Sequence, residues 1–157
     1  MRKRLLIAGL AAVSLAPAWA FQQLPEKFEP GRDAAADVRQ ALTLAQAQRK
    51  RVFVDVGGEW CSWCHIFDRF VASNPEVRKL LAERYVLVKV NYSPQQRNEQ
   101  LLSRFPKAKG YPHFYVLDPG GRVLASQASA ELEAGNDYDA TKVLAFLRRH
   151  EADFAQK

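Results

Sequence analysis

Apolar residues recur along the chain in two periods, and the switches between them mark the predicted elements. From residue 33 to about 49, Val38, Ala41, Leu42 and Ala45 fall at i, i+3, i+4 and i+7, one face of a helix that Asp33 is placed to cap. Residues 51–56 (RVFVDV) are β-branched, aromatic and apolar on both faces, the mark of a central strand, which Gly57-Gly58 ends. A second helix is predicted from about Cys61, with Trp63, Ile66, Phe67, Phe70 and Val71 as its stripe. Ser73-Asn74-Pro75 interrupts it, and Val77, Leu80 and Leu81 carry a third helix to about Arg84. Residues 85–90 (YVLVKV) repeat the buried-strand pattern. A polar loop over 91–97, a short helix over 98–105 and a turn over 107–112 follow. Strands at 113–117 and 122–126 are joined by Asp118-Pro119-Gly120-Gly121, a hairpin signal. Residues 127–138 read as a polar loop. Residues 139–154 read as a last amphipathic helix, with Val143, Phe146, Leu147 and His150 on its inner side.

The order is α-β-α-α-β-α-β-β-α. The two central strands are joined through helices, so they are parallel, with a right-handed crossover; the closing hairpin adds an antiparallel pair. The predicted class is α/β, with a mixed sheet of four to five strands and helices on both faces.

Before this domain, residues 1–20 combine a basic start (Arg2, Lys3, Arg4), an apolar run and Ala18-Trp19-Ala20, the small-x-small pattern of a processing site. Those are the parts of an export signal, expected to be cleaved after Ala20; a retained anchor is the other reading. Residues 21–32 hold two prolines and a glycine and read as an extended lead-in, which leaves 33–157 as the domain. With 157 residues, 48% apolar and 25% charged, the composition suits one globular domain and excludes long disorder and a multi-span membrane protein. Setting aside the three basic residues of the leader leaves 20 basic against 17 acidic residues, too small an excess for a nucleic-acid binder. Export would place the chain outside the cytosol, in the periplasm if the source has two membranes.

That compartment bears on the two cysteines, Cys61 and Cys64. Outside the cytosol such a pair is oxidised by default. As a staple it is weak, since closing so short a loop stabilises by roughly 2 kcal/mol. As chemistry it is strong. A cysteine in a helix's first turn meets free N–H groups and the positive end of the dipole, which favour its thiolate, the nucleophile. A second cysteine three residues on lies one turn away on the same face. Cys61 is therefore expected to attack and Cys64 to resolve, with no cofactor beyond the redox-active disulfide. Asp55 is the only charge inside VFVDV and Lys89 the only one inside YVLVKV. Together they form either an acid/base group for the Cys64 proton or a structural ion pair; beside two cysteines the first reading leads.

Glu59-Trp60-Cys61-Ser62-Trp63-Cys64, after a central strand and opening a helix, resembles the active site of the thioredoxin superfamily, and its Trp-Cys-x-Trp-Cys form looks most like the exported branch. Asp55, six residues before Cys61, Lys89-Val90-Asn91 and Gly110-Tyr111-Pro112 resemble three further motifs of that family. The resemblance implies a thioredoxin fold and a cis peptide before Pro112. It implies protein thiol-disulfide exchange, with Cys61, Cys64, Asp55 and Lys89 catalytic and Trp60, Trp63, Tyr111 and Pro112 facing a polypeptide substrate. Trp60 is also open to a packing reading, while Trp63, between the cysteines, is expected to be partly exposed. The chain departs from the family at Ser62-Trp63, His65 and His113, which leaves the direction of electron flow open. His65 is a candidate for tuning the Cys61 thiolate, or a solvated surface residue; His113 is the second tuning candidate. Expected partners are protein substrates with thiols or disulfides and a membrane or soluble redox partner, with the chain itself a monomer.

Two rival readings use the same residues. Cys61-Ser62-Trp63-Cys64-His65 is literally Cys-x-x-Cys-His, the c-type haem attachment pattern, with His113 or His150 as second ligand. Cys61, Cys64, His65 and His113 also have donor types that suit zinc or copper. The redox reading assigns neither haem nor metal.

Overall fold

The computed structural model describes residues 23–152; the predicted leader lies outside them. The elements are α1 (Ala34–Gln48), β1 (Arg51–Gly57), α2 (Ser62–Ser73), α3 (Pro75–Arg84), β2 (Tyr85–Asn91), α4 (Glu99–Leu102), β3 (His113–Leu117) and β4 (Val123–Ala128). A 3₁₀ turn (Ser129–Leu132), β5 (Glu133–Ala134), β6 (Asp137–Tyr138) and α5 (Ala140–His150) complete the chain. Four strands form one mixed sheet in the order β2-β1-β3-β4. β1 runs parallel to β2 and antiparallel to β3, and β3 is antiparallel to β4. This is the predicted α/β thioredoxin fold.

Strand β1 explains the layering. Val52, Val54 and Val56 point to one side and pack with Val38, Ala41 and Ala45 of α1. Phe53 points to the other side, among Phe67 and Phe70 of α2, Phe114 of β3 and Phe146 of α5. Alternation then gives Asp55 and Gly57 to the α2 side as well. At the start of α1 the predicted cap is made: Asp33 Oδ1 accepts the Ala36 N–H at 2.9 Å.

Three boundaries differ from the sequence pattern. The helix expected over 98–105 is cut to Glu99–Leu102, between the left-handed Asn98 (φ 49°) and a chain that must be extended before Pro106. The loop expected over 127–138 carries the end of β4, the 3₁₀ turn and the β5–β6 ribbon, because Tyr138, 5% exposed, is drawn down onto Phe67 and Phe70. The last helix ends at His150 rather than continuing: Glu151 is extended and pairs with Arg84 at 3.3 Å.

Candidate functional site

Gly57 closes β1, and its carbonyl accepts the Tyr92 N–H at 2.6 Å, fastening the strand end to the chain leaving β2. The Cys61 N–H then donates to Gly58 O at 3.0 Å, a tight turn that delivers Cys61 to the N-cap of α2. Its Sγ accepts the Cys64 N–H at 3.2 Å, so one of the helix's free N–H groups points at this sulfur. Cys61 and Cys64 are joined as a disulfide, with Cα atoms 5.3 Å apart. Cys61 is 4% exposed and Cys64 not at all. Both are buried, and Cys61 is the outer of the two.

A chain of three charges links β1, β2 and α2. Lys89, aligned with Asp55 in the β1–β2 register, places Nζ 3.0 Å from Asp55 Oδ2 and 2.7 Å from Asp68 Oδ1. Asp55 is fully buried and its second oxygen, Oδ1, has no partner. Burial pushes the Asp55 carboxyl up, against the pull of Lys89 and with help from Asp68. For Lys89 burial acts downward, but Asp55 and Asp68 together carry it above its ordinary value. Asp68 was not foreseen: on a helix's polar side it looks like any solvated acid, and only the tertiary fold brings Lys89 to it.

Phe28 was not foreseen either. It lies in the expected lead-in, yet it is 2% exposed and clusters with Cys61 and Cys64. Its N–H donates to Glu59 Oε1 at 3.0 Å, and Lys89 Nζ stands 4.2 Å from its ring centre.

Around the disulfide the aromatic residues divide. Trp60, not Trp63, is the exposed one, at 56%. Its Nε1–H donates to Tyr92 O at 2.8 Å, and its ring meets Tyr111 edge-on at 5.8 Å. Tyr111 in turn stacks on Tyr92 at 4.6 Å, and burial, with a hydrogen bond to Tyr92, pushes its hydroxyl up to about 12. Beside Trp60 a cleft of about 500 Å³ is lined by Tyr92, Ser93, Pro94, Gln95 and Arg97. Trp63 is half-buried, edge-on to Tyr138 at 5.6 Å. The Tyr111-Pro112 peptide is cis, and Pro112 is buried.

The histidines are scattered. His65 Nε2 donates to the Glu59 carbonyl at 2.8 Å. His113 is 1% exposed; Nδ1 accepts the Lys109 N–H at 3.4 Å, leaving Nε2 to donate to Ser126 Oγ at 2.8 Å. Burial, then Lys109, lowers its pKa. It is a satisfied core histidine. His150 is half-buried against Phe146, at 5.1 Å. The two sulfurs are bonded to each other, and both His113 nitrogens have partners within the protein. Among the described residues no three His, Cys, Asp or Glu side chains are grouped to hold a metal ion.

Residues 33–119 match the profile of a family described as thioredoxin-like. A segment of 100 residues, 63% of the chain, is 29% identical to the thiol:disulfide interchange protein DsbD of Actinobacillus pleuropneumoniae and covers 17% of that protein. Matches to the curated relatives span only 11% to 25% of those proteins' lengths. The crystal structure of a disulphide isomerase from Xylella fastidiosa Temecula1 superposes with a TM-score of 0.67 at 23% identity, over 80% of this chain and 95% of that one. The oxidised C-terminal domain of Neisseria meningitidis DsbD gives 0.58 at 19% identity, over 76% and 97%.

Proposed function

Given that the chain belongs to the thioredoxin-like family, we propose that it is a thiol-disulfide oxidoreductase acting on protein substrates through Cys61 and Cys64. The observation that carries this is the Cys61–Cys64 disulfide at the N-terminus of α2, its outer cysteine the less deeply buried of the two and the strand of a buried carboxylate packed against its inner one.

In the reducing direction the pair starts as a dithiol. The Cys61 thiolate, favoured by the helix N-terminus, attacks one sulfur of a substrate disulfide; the other leaves as a thiolate and a mixed disulfide forms. Asp55, as carboxylate, takes the Cys64 proton. The Cys64 thiolate then attacks Cys61 Sγ, the second substrate sulfur leaves, and two electrons have passed to the substrate. The protein is left with the disulfide seen here. The same steps reversed oxidise a substrate dithiol. No cofactor enters either direction.

Lys89 steadies the Asp55 carboxylate through its 3.0 Å contact. Trp60 and Tyr111, with Pro112 behind them, offer a rigid aromatic and backbone surface to an extended polypeptide. The basic, apolar and Ala-x-Ala parts of residues 1–20 support export and assignment to the exported branch, hence to the periplasm of a double-membrane source. A redox partner there would reset the pair.

Cys64→Ser tests this. The variant is expected to accumulate covalent adducts with proteins of the exporting compartment, released by dithiothreitol. A folded variant that traps no protein contradicts the proposal.

A further inference from the structure

The stretch around Phe28 is fastened on both sides of the site. The Phe28 N–H is held by Glu59, just before the cysteines. Gln96, in the loop after β2, accepts the Gly31 N–H at 2.7 Å and donates to Arg32 O at 2.9 Å. The Arg32 side chain is clamped to Asp37 at 2.8 and 2.7 Å. A segment that merely led into the domain would need none of these ties.

What they hold in place is one ring. Lys89 Nζ has three N–H donors; Asp55 and Asp68 take two, and the Phe28 ring face covers the ammonium from 4.2 Å. The ring tip reaches the end of β1, 3.1 Å from where a Gly57 Cβ would stand, in the same space that Cys64 Sγ closes. With Phe28 in place the Lys89 side chain is only 3% exposed.

We propose that Phe28 is a positioning residue of the redox centre: its ring seals Lys89 and Cys64 from water and so keeps Asp55 in the dry surroundings that govern its exchange of the Cys64 proton. This rests on the redox reading above. The groups that face Asp55 are Lys89 from β2, Asp68 from α2 and Tyr138 from β6. Burial is the largest influence on its carboxyl and acts upward; the Lys89 attraction is smaller and acts downward. Admitting water relieves the larger influence more than it screens the smaller one. The Asp55 midpoint therefore falls when the seal is opened.

The experiment is a carboxyl-carbon NMR titration of Asp55 in the full chain, held reduced. In Phe28→Ala the midpoint is expected to fall by about one pH unit. In Phe28→Leu, which keeps apolar bulk over Lys89, it is expected to stay near the wild-type value. A folded Phe28→Ala that titrates as wild type overturns the proposal, and so does a Leu variant that shifts as far as Ala. If Phe28→Ala does not fold, Phe28→Val opens the seal part-way and is read in the same manner. The titration needs no turnover. A wild-type chain inert on disulfide substrates would sink the redox reading and leave the seal to be judged by its own result.

Discussion

The backbone of Gly57 lies so close to Cys64 Sγ that a Cβ at this position would overlap the sulfur and press on the Phe28 ring. β1 and α2 thus meet backbone to side chain at the buried end of the disulfide, and the first residue of Gly57-Gly58 is there for space. Gly57→Ala is expected to destabilise the oxidised chain by about 1–3 kcal/mol, as overpacking of a filled core does. Denaturant unfolding of the oxidised variant measures it. Unchanged stability would mean that Cys64 moves aside freely.

Asp55 ties stability to pH. Its pKa is higher in the fold than its ordinary 3.8, since burial, with Asp68, outweighs Lys89. The fold therefore binds this proton more tightly than the unfolded chain does. That contribution is fully present below about pH 3.8 and is lost as pH rises through the raised value. Asp55→Asn is expected to be more stable than wild type at neutral pH and to converge with it at the acid end, in urea melts from about pH 3 to 8. The same variant should release mixed disulfides slower on the order of 10²-fold, because the proton acceptor is gone.

Asp68 shares Lys89 with Asp55 and pushes the Asp55 carboxyl upward. Asp68→Asn removes the push and leaves Lys89 to Asp55 alone. The pH midpoint of the resolving step is expected to move down. Because Asp68 is 47% exposed, solvent screens it, and the shift is expected to be smaller than that in Phe28→Ala. Single-turnover release across pH reads it; an upward shift would contradict the shared arrangement.

Trp60 is exposed, so Trp60→Ala is expected to change stability by less than about 1 kcal/mol. If its ring receives substrate, KM for a polypeptide disulfide should rise about tenfold with kcat little altered. Steady-state kinetics on a disulfide-bonded test polypeptide separate the two. An unchanged KM would remove Trp60 from the substrate surface.

Much of this molecule can be read from its residues because burial writes periods. Val38, Ala41 and Ala45 announce α1, the double-sided RVFVDV announces a central strand, and single charges at Asp55 and Lys89 stand out against apolar neighbours. What has no period cannot be read this way. Phe28 is one aromatic between Pro25 and Pro30, and its partners lie 29 or more residues away. Asp68 is a polar residue on a polar face until the fold brings Lys89 to it. β5 and β6 are two residues each, too short to alternate, and only Tyr138 betrays them by what it covers. Trp63 is partly exposed as its place between the cysteines suggests, but the sequence does not show that Trp60 escapes packing and stands 56% exposed.

The most direct test of the central claim is catalysed reduction of a disulfide-bonded polypeptide such as insulin, with dithiothreitol as electron source, by the wild-type chain and by Cys61→Ser. The account predicts rapid reduction by wild type and none above background by Cys61→Ser, with both proteins folded. Equal rates from the two, or no acceleration by either, would contradict it.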